Sequence, residues 1–472
     1  MGHTSAATNI GTTNRQWQDP FSTIDTNGPP FLGWGLAARI ELDTSQAGSH
    51  LYDYGTFSFE SKAQVLEQAK KYWNPDKTQF WTDAGVDLVI DRRDGYFLWD
   101  MSGRRLIDMH LNGGTYNLGH RNPEIMAALI DGMQYFDMGN HHFPSVARSA
   151  LAQRLVDSAP ASITKVAFGS GGGEAIDIAL KSARHATKRR KIVSIIKAYH
   201  GHTGLAVAAG DDRFSKLFLS DRPDEFVQVP FGDVEAMDQA LSGGDVAAVL
   251  METIPATYGF PLPPTGYLEA VKELTVRHDA LYIADEVQTG LMRTGELWGI
   301  TKHGIEPDIM VTGKGLSGGM YPIAAAMLGD RAAQWLDEDG FAHMSTFGGA
   351  ELGCVAAIKT LEITSRPEVR TGVHTLTDVF ANGLARIQAD NPDWFVGIRQ
   401  SGVVIGLEFD HPEGAKFVMR ELYENGVWAI FSTLDPRVLQ FKPGLLLSRE
   451  LCDEVLDRLD VAVSKAAAAA AS

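Results

Sequence analysis

The sequence predicts an α/β protein: a mainly parallel, seven-stranded sheet in a large domain, with a smaller α+β domain after it. Three observations carry this. Seven short apolar runs recur through the middle of the chain: KVAFG (165–169), IVSII (192–196), FVQV (226–229), VAAVLM (246–251), ALYIAD (280–285), DIMVT (308–312) and IAAAML (323–328). Helix-period segments such as EAIDIALKSARHATK and GYLEAVKELTVRHD lie between most of them. From about residue 341 this alternation stops.

The runs are apolar throughout rather than at every second residue, so both faces of each strand are expected to be covered. Strands alternating with helices give parallel neighbours, because each crossover helix packs back on the sheet. IAAAML follows DIMVT after a short turn with no helix, and is expected to be an antiparallel neighbour. In the last third, SGVVIGLEFD and the GVWAIF region read as strands, while HTLTDVFANGLARIQAD and LCDEVLDRLDVAVSKA read as helices. The alanine tail extends or frays the last of these. Residues 1 to about 85 are rich in Gly, Pro, Thr and aromatics and read as an irregular arm with one helical stretch, SKAQVLEQAKKYW. The expected division is an arm (1–85) belonging in part to the small domain, a large domain (86–340) and a C-terminal small domain (341–472).

The chain has 472 residues and a net charge of −17. That length suits two or three units of about 100–200 residues each. The acidic balance argues against nucleic acid or an anionic membrane as partner. The basic run Lys188-Arg189-Arg190-Lys191 ends a predicted helix, where cations complement the carbonyl end. Cys354 and Cys452 make neither a disulfide framework nor a metal-ligand set. His200 with His202, and His141 with His142, lack a third ligand at suitable spacing, so no metal is expected. The N-terminus is polar, and no run approaches the ~18 apolar residues of a membrane helix. A cytoplasmic protein is the expectation.

In open α/β sheets, ligands bind at the carboxyl ends of the strands. After KVAFG comes Gly169-Ser170-Gly171-Gly172-Gly173-Glu174 and then a helix. After IVSII come Tyr199 and His200. Glu252 follows VAAVLM, Asp285 closes ALYIAD with Gln288 just beyond, and Lys314 follows DIMVT. Backbone N–H groups at a helix N-terminus suit a phosphate. An aromatic ring stacks on a flat heterocycle. A carboxylate keeps a pyridinium nitrogen protonated, and a lysine amine condenses with an aldehyde. Pyridoxal 5'-phosphate needs all four. Gly313, Gly315 and Gly318 also spell G-x-G-x-x-G, but a dinucleotide fingerprint must open a helix, and here an apolar run follows instead.

These motifs identify the chain as similar to class III (omega) aminotransferases, fold type I pyridoxal-phosphate enzymes. The matching segments are GHRNPE (119–124), YHGHT (199–203), IADEVQTGLMRTGEL (283–297), PDIMVTGKGLSGGMYPIAA (307–325) and STFGG (345–349). The resemblance is closest to putrescine, diamine and ω-amine transaminases. It implies that Lys314 carries the cofactor as a Schiff base and later shuttles the proton, and that Asp285 pairs with the pyridine nitrogen. It places Gln288 near the ring oxygen, Tyr199 stacked on the ring with His200 beside it, and Glu252 near the substrate. It gives Gly171, Gly172 and Gly173 to the phosphate. Thr346 is implied to reach a partner subunit's phosphate, so a homodimer with shared sites is expected. Tyr116 is implied to line the pocket. The implied reaction is ping-pong transfer of an amino group from an amine, diamine or ω-amino acid to pyruvate or 2-oxoglutarate.

Three departures stand out. The family's S-G-T-E phosphate loop reads Gly171-Gly172-Gly173-Glu174 here, without its hydroxyl donors. Ala350-Glu351 replace Asn-Pro after STFGG. In LQFKPGLLLS (439–448), Gln440 stands where many users of 2-oxoglutarate have arginine, and glutamine cannot supply that charge. Lys442 or Arg437 is then the candidate substitute. A racemase or epimerase on the same scaffold would tolerate that loss. A cofactor-binding protein without turnover is disfavoured by Lys314 and Asp285.

Overall fold

The computed structural model describes residues 59–139 and 142–470. Trp17, Trp34 and His141 lie outside the described residues. The helical stretch read at SKAQVLEQAKKYW is an α-helix over Lys62–Gln68 that runs on as a single π-turn over Ala69–Trp73. Its N-cap is Ser61, whose side chain accepts from the backbone N–H of Gln64.

A first sheet holds β1 (Ile90–Asp94), β2 (Phe97–Asp100) and β3 (Arg105–Asp108). The large sheet holds β4 (Lys165–Gly169), β5 (Lys191–Ile195), β6 (Phe226–Val229), β7 (Val246–Glu252), β8 (Leu281–Asp285), β9 (Ile309–Thr312) and β10 (Ala324–Leu328). Its order is β4-β10-β9-β8-β7-β5-β6. Only β10 runs against its neighbours, pairing antiparallel with both β4 and β9. The carboxyl ends of β4, β5, β7, β8 and β9 therefore share one edge. Both faces are covered, as the continuous apolar runs predict. Along β7, Val249 and Met251 enter the core on one side with Leu268 and Val271 of the helix Tyr267–Arg277. Ala248 and Leu250 enter the core on the other, with Ile176 and Ala179 of the helix Gly172–Thr187. Burying one such aliphatic side chain stabilises by about 1.5–3 kcal/mol, and truncating fully buried Ile283 to Ala costs about 2–5 kcal/mol.

The C-terminal strands are β11 (Phe395–Ser401), β12 (Val404–Phe409), β13 (Val427–Trp428), β14 (Ile430–Ser432) and β15 (Asp435–Phe441). The GVWAIF region divides: β13 pairs in parallel with β3, and β14 pairs with β15. One apolar run thus joins two sheets, with buried Ala429 between them. Periodicity alone could not show this split, since both halves are equally apolar. The last helix runs over Arg449–Ala470, so the alanines do extend it.

The basic run serves strands more than the helix. Lys188 is the left-handed C-cap of the helix Gly172–Thr187. Arg189, beyond it, donates to the carbonyls of Val246, His278 and Asp279. Lys191 pairs with Asp245 at 2.6 Å.

Candidate active site

Glu252 and Asp285 end neighbouring strands in direct register. Each carboxylate is 4% exposed, so each needs partners. Asp285 Oδ2 accepts from Nδ1 of His200 at 2.8 Å, and Oδ1 accepts from the N–H of Val287 at 3.0 Å. Glu252 accepts from the backbone N–H of Tyr199 at 3.1 Å and of Ala256 at 3.0 Å. Burial pushes the carboxyl of Glu252 up to about 7, with the charge of His200 opposing and that of Asp285 adding. His200 is clamped to Asp285, and the Tyr199 ring rests edge-on against His202 and Phe214.

Lys314 follows β9 in the left-handed region, with φ +41°. Burial lowers its amine below the ordinary lysine range, and the charges of Asp285 and Glu252 work the other way. The segment Lys314–Ser317 is one 3₁₀ turn leading through Gly318 and Gly319 into β10. No helix opens there, so the dinucleotide spacing is accidental. Several glycines are sites of close approach. A Cβ on Gly315 would lie 2.7 Å from Asn117 Nδ2, and one on Gly201 would lie 2.7 Å from the Cα of Gly173. The glycines let loops of different strands meet.

Gly171 is the N-cap of the 16-residue helix Gly172–Thr187, with no side-chain cap hydrogen bond. A Cβ on Gly171 would meet nothing within 4 Å. Glu174 folds back to accept from the N–H and the hydroxyl of Ser170, closing the turn from behind.

A second group of side chains faces Lys314 from the other sheets. After β3 the chain passes through four left-handed residues, Leu111, Asn112, Gly113 and Gly114. Asp108 holds the entry to this strained turn. Its Oδ1 accepts from the N–H of His110 and Leu111, and its Oδ2 is bonded to Nε2 of His120 at 2.8 Å. A Cβ on Gly113 would sit 3.1 Å from Lys314 Cε and 3.6 Å from Gln288 Oε1, an oxygen that is buried without a hydrogen-bond partner. Burial pushes the His110 imidazole down to about 3, aided by the charge of Lys442.

Gln440 and Lys442, two residues apart at the end of β15, turn to one side of the strand while Leu439 and Phe441 fill the core. Nζ of Lys442 donates to Oε1 of Gln440 and lies 5.4 Å from the centre of the Phe260 ring. The Lys442 backbone N–H donates to the carbonyl of Met109, tying β15 to the strained turn. Arg437 is exposed and pairs with Glu408 at 2.7 Å. Tyr116 stacks on His120, ring centres 4.0 Å apart, and Thr346 is exposed on the loop before the helix Glu351–Thr364. Glu351, in the place of the family's proline, opens that helix and pairs with Arg148.

The class III aminotransferase family model matches residues 81–463. This chain is a class III aminotransferase. An uncharacterized aminotransferase of Archaeoglobus fulgidus is 44% identical over 398 residues, 84% of this chain and 93% of that one. Among solved structures, an ornithine aminotransferase of Toxoplasma gondii is 25% identical with a TM-score of 0.76. The match covers 88% of this chain and 100% of that one, and that structure records partial occupancy of pyridoxal phosphate at its active site. An acetylornithine aminotransferase of Elizabethkingia anophelis is 25% identical with a TM-score of 0.73, over 86% of this chain and 100% of that one. The aminotransferase has the fold type I architecture read from its sequence and is pyridoxal-phosphate-dependent.

Sequence reasoning missed Asp108, His110 and Arg293 in this aminotransferase. Arg293 is 2% exposed and donates to the carbonyls of Pro443 and Val403, tying the loop after β8 to the C-terminal sheet. Glu286 anchors the same loop by accepting from Thr253 and from the N–H groups of Gly299 and Ile300. Glu286 and Arg293 lie within the segment IADEVQTGLMRTGEL, but the carbonyls that Arg293 serves lie more than a hundred positions away, so its role shows only in the tertiary structure.

Proposed function

We propose that this aminotransferase moves an amino group from an amine, diamine or ω-amino acid to pyruvate or 2-oxoglutarate in two half-reactions at one site. The observation that carries the reading is the buried amine of Lys314 beside Asp285, a carboxylate fixed by His200. The residues present fit the cofactor. The N-terminus of the helix Gly172–Thr187, with Gly171, Gly172 and Gly173 and no side-chain cap, would offer its first N–H groups to the phosphate. Asp285 would take the ring nitrogen, Tyr199 would border the ring, and Gln288, whose Oε1 is buried without a hydrogen-bond partner, would approach the ring oxygen. When bound, pyridoxal phosphate supplies an electron sink for the donor carbon.

The chain's own groups do the rest. Nζ of Lys314 would hold the cofactor's aldehyde and would carry the proton at the donor carbon. Its lowered proton affinity suits that role. His200 orients Asp285, and Glu252 braces the Tyr199 segment through its backbone N–H. Tyr116, Gln440 and Lys442 form the substrate wall. The names of the ornithine and acetylornithine aminotransferases support an ω-amino acid donor.

The reading extends to assembly and place. Phe341, Met344 and Phe347 are exposed on the segment that carries Thr346, and Arg148 bonds the carbonyls of both Gly349 and exposed Phe143. Such an apolar face suits a second copy of the chain, with Thr346 serving the partner's phosphate. Two free buried cysteines suit a cytoplasmic enzyme. We keep the division into arm, large domain and C-terminal domain as part of this reading.

The test is a donor panel of amines, diamines and ω-amino acids run against both acceptors. Stoichiometric carbonyl product with lasting conversion of the cofactor spectrum supports transamination. Deuterium exchange at the α-carbon without keto product would replace it with racemisation.

A further inference from the structure

Lys442 is a buried amine in an unusual setting. It is 3% exposed, and its hydrogen-bond acceptor is the neutral carboxamide of Gln440. Among the described residues no carboxylate lies within ion-pair distance of it. The aromatic face of Phe260 closes one side, and Met109 holds its backbone. Around it stand Arg293 from the loop after β8, Lys314 after β9, Glu252 at the end of β7, and Asp108 and His110 at the end of β3. Two of these are cations and two are anions already bonded elsewhere. An isolated buried cation is strongly disfavoured and sheds its proton unless a counter-charge arrives. The amine stands beside the site proposed for transamination, where a keto acid brings such a charge.

We propose that Lys442 is the anchor for the carboxylate of the keto-acid acceptor, and that it takes up one proton from solvent as that carboxylate binds. The inference rests on the transaminase reading above and gives it a specificity device. Without the acceptor, the amine is neutral and donates to Gln440, and the wall accepts the uncharged end of an amine donor. With the acceptor, RCOO⁻, a proton from solvent and the neutral amine combine into an ammonium–carboxylate pair, so atoms and charge balance. One site then serves a donor that lacks a carboxylate there and an acceptor that has one, and protonation makes the switch. Burial, first of all, and the neighbouring cations Arg293 and Lys314 hold the amine well below the ordinary lysine range, against the pull of Asp108 and Glu252.

The test is calorimetric binding of succinate, an unreactive dicarboxylate, to the holoenzyme at one pH in two buffers of different ionisation heat. The expected result is uptake of close to one proton per site. Lys442→Met is expected to weaken succinate binding on the order of tenfold to a hundredfold, the loss of a charge-assisted hydrogen bond, and to abolish the uptake. Lys442→Arg, permanently charged, is expected to bind with no uptake. Binding to wild type without proton uptake, or uptake undiminished in Lys442→Met, overturns the proposal. If the Met variant fails to fold, the Arg variant and the wild-type buffer comparison still decide. The transaminase reading is judged separately, by the donor panel on wild type. A wild type that takes up the proton but transfers no amino group overturns that reading and leaves the carboxylate anchor standing.

Discussion

Two walls face each other across Lys314, and they are built differently. One is the edge of the large sheet, where Asp285, Glu252, His200 and the glycine turn stand at strand ends. The other comes from the smaller sheets and brings Asp108, His110, Gln440 and Lys442. Charges in the first wall are compensated: Asp285 has His200 and a backbone N–H, and Glu252 has two backbone N–H groups. In the second wall, the Lys442 amine and the His110 ring are buried with their charged forms disfavoured. Hydrogen bonds hold the groups of the first wall in place for chemistry, although burial still pushes the Glu252 carboxyl up to about 7. An uncompensated wall responds to what binds.

The comparison breaks most completely at the residue between the walls. Lys314→Ala is expected to lower turnover by on the order of 10³-fold or more, with an unchanged circular dichroism spectrum; near-normal turnover would remove Lys314 from its role. In the first wall, Asp285→Asn is expected to reduce kcat on the order of 10²-fold while KM for the acceptor changes little, measured by steady-state kinetics with both substrates varied.

Arg293 joins the walls, and Arg293→Met leaves the carbonyls of Pro443 and Val403 without their donor. Each lost partner costs about 1–3 kcal/mol, so the midpoint of chemical denaturation is expected to fall measurably. The smallest effect concerns pH. Burial pushes the Glu286 carboxyl from its ordinary 4.5 to about 7, against the hydrogen bonds from Thr253, Gly299 and Ile300. Between those values the folded chain binds more protons than the unfolded one, so this group's contribution to stability falls as pH rises from 4.5 to 7. Denaturation midpoints across that range are expected to decline less steeply in Glu286→Gln than in wild type.

The first wall was legible in the sequence because each strand end is a contiguous motif, and strand ends of a parallel sheet converge. YHGHT, IADEVQ and the turn at Lys314 announce their chemistry locally. The clamp between His200 and Asp285 was not legible, since 85 positions separate the two residues. In the second wall, Asp108 and His110 were hidden too. Lys442 could be named as a substitute for a missing arginine, but Arg437 stood equal to it until the structure showed Arg437 exposed and paired with Glu408.

By itself the sequence determined the order of strands and helices, the burial of both sheet faces and the lysine at the end of β9. All of these follow from local periodicity and from the rule that parallel strands deliver their carboxyl ends to one edge. Tertiary structure alone decided that the GVWAIF region divides between two sheets, that Asp108 braces a strained turn against Lys314, and that the lysine just after β15 is buried without a counter-charge. Those facts depend on which distant backbones meet, and side-chain charge is priced by that meeting rather than by neighbours in the chain.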